Sequence, residues 1–208
     1  LNLFGGSPMA KAIQKCSLPP AATRAEQAVM FAAAEKWLND RGYKRLSNCH
    51  WAKDIRERSM YNILAKTGAD VFPFGCGAGG FVGQYSTMQM RDLEKYITMI
   101  DEGKKPIMVM SGKSLYDEVH KKISQNMEQG YLDLRGITAE NPELVQLEYI
   151  LDIWLKNGLM RKGEVMYFQT QAGRFWQNNL TQSLLECCEY ILSQGKVKEA
   201  KPMQGMSA

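Results

Sequence analysis

Histidine is scarce in this chain: only His50 and His120 occur among 208 residues. That excludes a His-rich metal site and leaves few imidazoles for acid–base work. No Ser-His-Asp set and no paired-carboxylate spacing stands out. The five cysteines, at 16, 49, 76, 187 and 188, are an odd number. None makes a CxxC or CxxxC pair, so no local zinc or iron–sulfur nest and no secreted disulfide framework is expected. A reducing cytoplasm is the expected compartment. No run approaches the roughly 18 apolar residues of a membrane span. The opening Leu1-Asn2-Leu3-Phe4-Gly5-Gly6 lacks both a basic start and an initiator Met. It therefore does not read as a signal peptide, and a fragment or processed chain is expected. Net charge is +4, from 26 basic and 22 acidic residues spread along the chain. That balance does not call for nucleic acid.

Glycine, by contrast, is concentrated. The stretch Phe74-Gly75-Cys76-Gly77-Ala78-Gly79-Gly80 follows Ala69 to Phe74, which reads as a short apolar strand. Residues without bulk let a backbone turn sharply or lie against a ligand. Gly75, Gly77 and Gly80 match GxGxxG, but Phe81 to Tyr85 reads as extended and opens no helix. No GK[ST] follows, which excludes a P-loop. The stretch is either a ligand contact or a tight bend where layers pack. Cys76 within it is expected to be a small buried hydrophobe, and the thirteen methionines mostly core filler.

Along the chain, Pro19 and Pro20 close a short first segment. Thr23 and Glu26 form a capping box for a long helix with Ala28, Phe31, Ala32, Ala34, Trp37 and Leu38 on its apolar stripe. Tyr43 to Asn48 reads as a strand ending at His50-Trp51. Residues 54–65 read as a charged, irregular helix or loop. Helices are expected over 89–101 and 111–129, with a strand over 106–110 between them. From Pro142 a helix carries Leu144, Leu147, Leu151 and Trp154. Two short strands then flank Lys162-Gly163-Glu164 as a hairpin, and Thr170 caps a last long helix. This order fits a winged-helix unit. Its helix over 143–155 carries Glu143, Glu148 and Asp152 and no basic residue, which opposes phosphate binding. A packing or lid module is the expectation, with DNA binding as the minority alternative. The polar stretch 195–208 is expected to be disordered.

Among titratable groups, His50 beside Trp51 sits at a predicted strand end, a common ligand position. It serves either as a hydrogen-bonded, partly buried ring or as a tetrapyrrole contact. His120, among Asp117, Glu118, Lys121 and Lys122, is expected on a solvated face. Arg56-Glu57-Arg58 is either solvated surface or a carboxylate-binding pair. Cys187 and Cys188 cannot face one partner and default to core.

Taken in order, five elements resemble a known family. They are Leu1 to Pro8, Gly42-Tyr43, His50-Trp51-Ala52-Lys53, Arg56 to Asn62, and Phe74 to Gly80. They resemble the C-terminal half of the radical S-adenosylmethionine (SAM) enzymes related to oxygen-independent coproporphyrinogen III oxidase, in particular the haem-utilisation, anaerobilin-forming branch. The resemblance reaches to about Tyr190. It implies an α+β fold: the C-terminal strands and helices of a partial TIM-like barrel over 1–88, then a mainly helical lid domain over 89–194 with a winged-helix-like hairpin. It implies SAM contacts at Gly77, Ala78 and Gly79, with Tyr61 and Gly5 as further cofactor-facing positions. His50, Trp51, Arg56 and Arg58 are the implied substrate contacts. The family's CxxxCxxC, which holds a [4Fe–4S] cluster, is absent here. SAM and the cluster are thus implied for a parent enzyme, with no cluster ligand and no catalytic residue expected in this chain. Implied partners are haem or another tetrapyrrole, the missing N-terminal barrel segment and an electron donor such as flavodoxin. Anaerobic haem degradation by methyl transfer and radical ring opening is the implied activity of the parent. Coproporphyrinogen III oxidation and a non-catalytic haem-trafficking module are the alternatives.

Overall fold

The computed structural model describes residues 5–56, 58, 60–66 and 69–193. The expectations for Leu1 to Phe4 and for the tail 195–208 lie outside them. The chain divides into two compact units, residues 1–44 and 45–208.

In the first unit, α1 (Pro8–Gln14) opens on Ser7, whose Oγ accepts from Ala10 N, with Pro8 in the first turn. Helix α2 (Arg24–Asp40) starts at the expected capping box: Thr23 Oγ1 accepts from Glu26 N, and Glu26 accepts from Thr23 N at 2.7 Å. Its covered face differs from the expected stripe. Ala28, Phe31, Ala32 and Leu38 are half-buried, whereas Ala34 and Trp37 are exposed and Glu35 is buried. The spacing 28, 31, 32, 35, 38 is the helical one, and it admits Glu35. Trp37 instead stacks under the Arg41 guanidinium at 3.9 Å.

The chain then forms β1 (Lys44–Arg45) and β2 (Trp51–Ala52), a two-stranded sheet far shorter than the strand expected over 43–48. Helix α3 (Met60–Lys66) follows. The segment 69–74 is not a strand; only Val71 forms an isolated bridge, with Phe81. Pro73 has no N–H to extend a ladder. Strands β3 (Gly79–Val82), β4 (Tyr85–Gln89) and β5 (Ile107–Gly112) form an antiparallel sheet in that order. Helix α4 (Leu93–Asp101) begins four residues later than expected. Gln89 is still in β4, and Asp92 caps the helix by accepting from Lys95 N. Ser111 and Gly112 likewise stay in β5, so α5 (Asp117–Gln129) is shorter than the helix expected from 111. Gly130, at φ 91°, ends it in the left-handed conformation.

The rest is the winged-helix-like order. Strand β6 (Tyr131–Leu132) leads to α6 (Leu134–Thr138), a 3₁₀ turn over Pro142–Leu147 and α7 (Glu148–Lys156). The hairpin β7 (Met160–Lys162) and β8 (Tyr167–Gln169) completes a sheet ordered β6-β8-β7. Thr170 caps α8 (Gln171–Phe175) through Gly173 N, and α9 (Gln177–Leu192) closes the unit. The hydrophobic core lies here. Ile123, Met127, Leu132, Ile137, Leu144, Leu151, Leu184 and Cys188 are wholly buried. Among the described methionines only Met127 and Met160 are buried, so most methionine is not core filler. Architecture and composition together make this an α+β chain.

Candidate cofactor and substrate site

Three different reasons put glycine in the segment 75–80. Gly75 and Gly77 have φ of 94° and 73°, where a side chain is strained. Ala78 N donates to Gly75 O at 3.2 Å, closing the turn. Gly77 N donates to Met90 O, and Ala78 O accepts from Gln89 N, both at 2.8 Å, which ties the turn to the end of β4. At Gly80 a Cβ would collide with Val71 O and lie 2.9 Å from Pro73 N, so packing against the Val71 bridge requires glycine. Gly79 is different. Its φ is not positive, and a Cβ there would meet only Thr87 O at 3.9 Å, ordinary contact. The fold does not need glycine at 79. No helix opens after the segment, so the dinucleotide reading fails as the sequence indicated. Cys76 is exposed, contrary to expectation, and its Sγ lies 3.3 Å from Arg91 O.

The strand that leaves the glycines is held by α5 and by the segment that precedes it. The Phe81 ring lies under two ammonium groups, Lys113 Nζ at 5.1 Å and Lys121 Nζ at 5.2 Å. Asp117 pairs with Lys121 at 2.9 Å and reaches Lys113 at 3.9 Å. The Asp117 carboxylate holds the Lys121 ammonium above its ordinary range. Phe81 N and O also exchange hydrogen bonds with Val71, at 2.9 and 2.7 Å.

The second group of expected residues surrounds the turn between β1 and β2. Leu46 N and Ser47 N both donate to His50 O. The buried Ser47 places its Oγ 2.7 Å from His50 Nδ1, and Cys49 Sγ lies 3.5 Å from the same nitrogen. His50 is therefore a half-buried, hydrogen-bonded ring. Asn48 N donates to Glu128 Oε1, and Gln177 Nε2 donates to Glu128 Oε2, each at 3.1 Å. One carboxylate on α5 thus anchors the His50 turn and α9. Trp51 is half-buried in β2. Arg56 grips Asp54 through Nε and Nη2, at 2.6 to 3.1 Å, and that guanidinium holds the Asp54 carboxyl below the usual carboxylate range. Arg58 donates from Nε to Ile55 O and is exposed, as is Tyr61 in the first turn of α3.

The glycine segment and the His50 turn are separate local structures, and Gly5 is an exposed turn residue of the first unit. Glu128, Gln177 and the Phe81–Lys113–Lys121 cluster escaped the sequence reading. Their partners lie 80, 49 and more than 30 positions away, beyond any local pattern. His120 is also placed differently from expectation. It is mostly covered between α5 and α9, with Nε2 3.5 Å from Glu189 Oε1 and its ring tilted against Tyr116. Among the described residues no cluster of three or more His, Cys, Asp or Glu could hold a metal ion. None of their helices is long and apolar enough to cross a membrane.

No family model matches the chain. Over 205 residues, 97% of its length, it is 31% identical to anaerobilin synthase of Escherichia coli O157:H7, and the match covers 44% of that protein. Its fold matches a solved structure described as "Coproporphyrinogen III oxidase (HemN) from Escherichia coli is a Radical SAM enzyme". The TM-score is 0.64 at 16% identity, over 87% of this chain and 46% of that one. The chain thus spans less than half the length of each. The sequence match carries the resemblance to the haem-utilisation side of these enzymes, and the solved structure shares the fold.

Proposed function

We propose that this chain, which resembles the coproporphyrinogen III oxidase-like radical SAM enzymes, forms one wall and the lid of such an enzyme acting on haem. In this reading residues 1–88 complete a partial barrel, 89–194 form the helical lid, and 195–208 are a tail. The barrel's remaining strands and the cluster cysteines come from a preceding segment. In the parent, SAM and a [4Fe–4S] cluster supply radical chemistry and a methyl group for opening the porphyrin ring.

This chain's own part is to bind and orient. Gly77, Ala78 and Gly79 give SAM a wall of bare backbone, with Tyr61 and Gly5 as further contacts. His50 and Trp51 face the tetrapyrrole. Arg58 is the better arginine for a substrate carboxylate, because Arg56 is already engaged by Asp54. An electron donor such as flavodoxin and a cytoplasmic setting complete the proposal. Coproporphyrinogen III oxidation is the second reading, favoured by the fold match.

The observation that carries the SAM assignment is the room for a side chain at Gly79, where a Cβ would meet only Thr87 O at 3.9 Å. Gly75, Gly77 and Gly80 have structural reasons to be glycine, whereas Gly79 has none inside the chain. A Gly79→Val change in the longer parent should leave its melting curve intact. It should weaken SAM binding about tenfold or more by calorimetry, as a branched side chain fills the contact. Unchanged affinity overturns the assignment.

A further inference from the structure

The winged-helix-like unit carries a groove that the proposed catalysis does not use. It runs between the 3₁₀ turn and α7 on one side and α9 on the other, with a volume of about 610 Å³. Leu147, Ile150 and Ile191 line it with apolar surface. Tyr149 and Tyr190 line it as well, yet are 78% and 58% exposed. An aromatic that is well exposed beside an apolar floor is unusual for a surface facing only water.

Its charge has one sign. Glu148 and Glu186 line the groove, and among the described residues no lysine or arginine does. Among the described residues Glu186 accepts from the neutral Gln182, at 2.9 Å, and neither carboxylate forms an ion pair. Cys187, in the same wall, has its thiol pushed up, first by burial and then by the Glu186 charge. In winged-helix DNA readers the corresponding helix is basic. Here it presents acid, so phosphate and porphyrin carboxylates are both repelled.

We propose that this groove docks a helical segment of another polypeptide, apolar on one face and bearing lysine or arginine along its flanks. The trough between two helices fits helix-in-groove recognition, in which residues at i, i+3 or i+4, and i+7 bury their side chains. The tyrosines supply rigid anchors and the two glutamates pair with the flanking cations. An acidic electron donor is excluded from this surface by the same charges. The proposal is independent of the SAM and tetrapyrrole assignments.

A fluorescein-labelled synthetic peptide of leucine and lysine, patterned as an amphipathic helix, tests it by polarisation against the 208-residue chain and the longer parent. Binding to both is expected at micromolar concentration, weakening as salt rises, with the glutamate-for-lysine counterpart not bound. Tyr149→Ala and Glu186→Lys should each weaken it about tenfold, without change in the far-ultraviolet spectrum, since both residues are exposed. Four results would overturn the proposal: equal binding of both peptides, no effect of either substitution, binding to the short chain but not the parent, and tighter binding once residues 195–208 are deleted. The last two would mean that the protein's own polypeptide fills the groove.

Discussion

Residues 45–112 and residues 116–192 are built on opposite principles. In the second stretch, α5, α7 and α9 bury Ile123, Leu144, Leu151, Leu184 and Cys188 completely around a small sheet. In the first, among the described residues, only Ala52 and Pro106 are buried apolar residues. The sheet β3-β4-β5 and helix α4 leave Leu93, Ile97, Ile100, Val109 and Met110 between 45% and 59% exposed. Apart from Gly5, the candidate cofactor and substrate residues lie in that less covered stretch. The second stretch carries a core of its own, whereas the first leaves much of its apolar surface uncovered.

The sharpest way to break the comparison is to truncate matching side chains. Leu184→Ala, at a wholly buried site, should cost about 3 kcal/mol in urea unfolding. Ile100→Ala, about half exposed on α4, should change stability by less than about 0.5 kcal/mol. Equal losses would show that the two stretches share one core. Gly80→Ala should cost about 1–3 kcal/mol, because the new methyl meets backbone at Val71. Hydrogen exchange would report it as faster exchange at the amides of Val71 and Phe81. Gly79→Ala, by contrast, should leave those amides protected.

A smaller effect probes the edge of the core. Thr170 Oγ1 accepts from Gly173 N at 3.1 Å and donates to Gly158 O at 2.6 Å. Thr170→Ala should therefore lower stability by about 1 kcal/mol. Thiol chemistry separates the same regions. Cys16, Cys49 and Cys76 are exposed, whereas the buried Cys188 has its thiol pushed up to about 11 by burial and by Glu189. Alkylation near pH 8, followed by mass spectrometry, should label the first three well before Cys188. The smallest effect is at Asp54. Its carboxyl is lowered by Arg56, so the pair stabilises the fold above the unfolded carboxyl's pKa and that contribution vanishes as pH falls through the lowered value. Both side chains are solvated, so the change in stability will be slight. Arg56→Ala should return the Asp54 carboxyl resonance to the ordinary titration range.

Local chemistry made much of this legible. The Thr23–Glu26 box, the Gly163 hairpin and the Thr170 cap each need only neighbours within a few positions and stand where the sequence put them, although Thr170 caps the five-residue α8, with α9 a separate helix, and not one long helix. Boundaries were less legible where two elements compete for one stretch. Gln89 and Ser111 join strands because β4 and β5 pair with each other across Leu93–Asp101, a partner no helical periodicity reveals.

What the sequence determined by itself was the Thr23 and Thr170 caps, the Gly163 hairpin and the glycine-rich turn, since these follow from backbone conformation and short-range hydrogen bonding. Tertiary structure alone decided which glycine is dispensable, because only the position of Val71 O separates Gly80 from Gly79. It also decided that Glu128 fastens the His50 turn, that His120 is covered, and that Tyr149 and Tyr190 line one groove. Each of these is a meeting of residues distant in the chain, and burial and long-range contact are fixed by packing, not by local propensity.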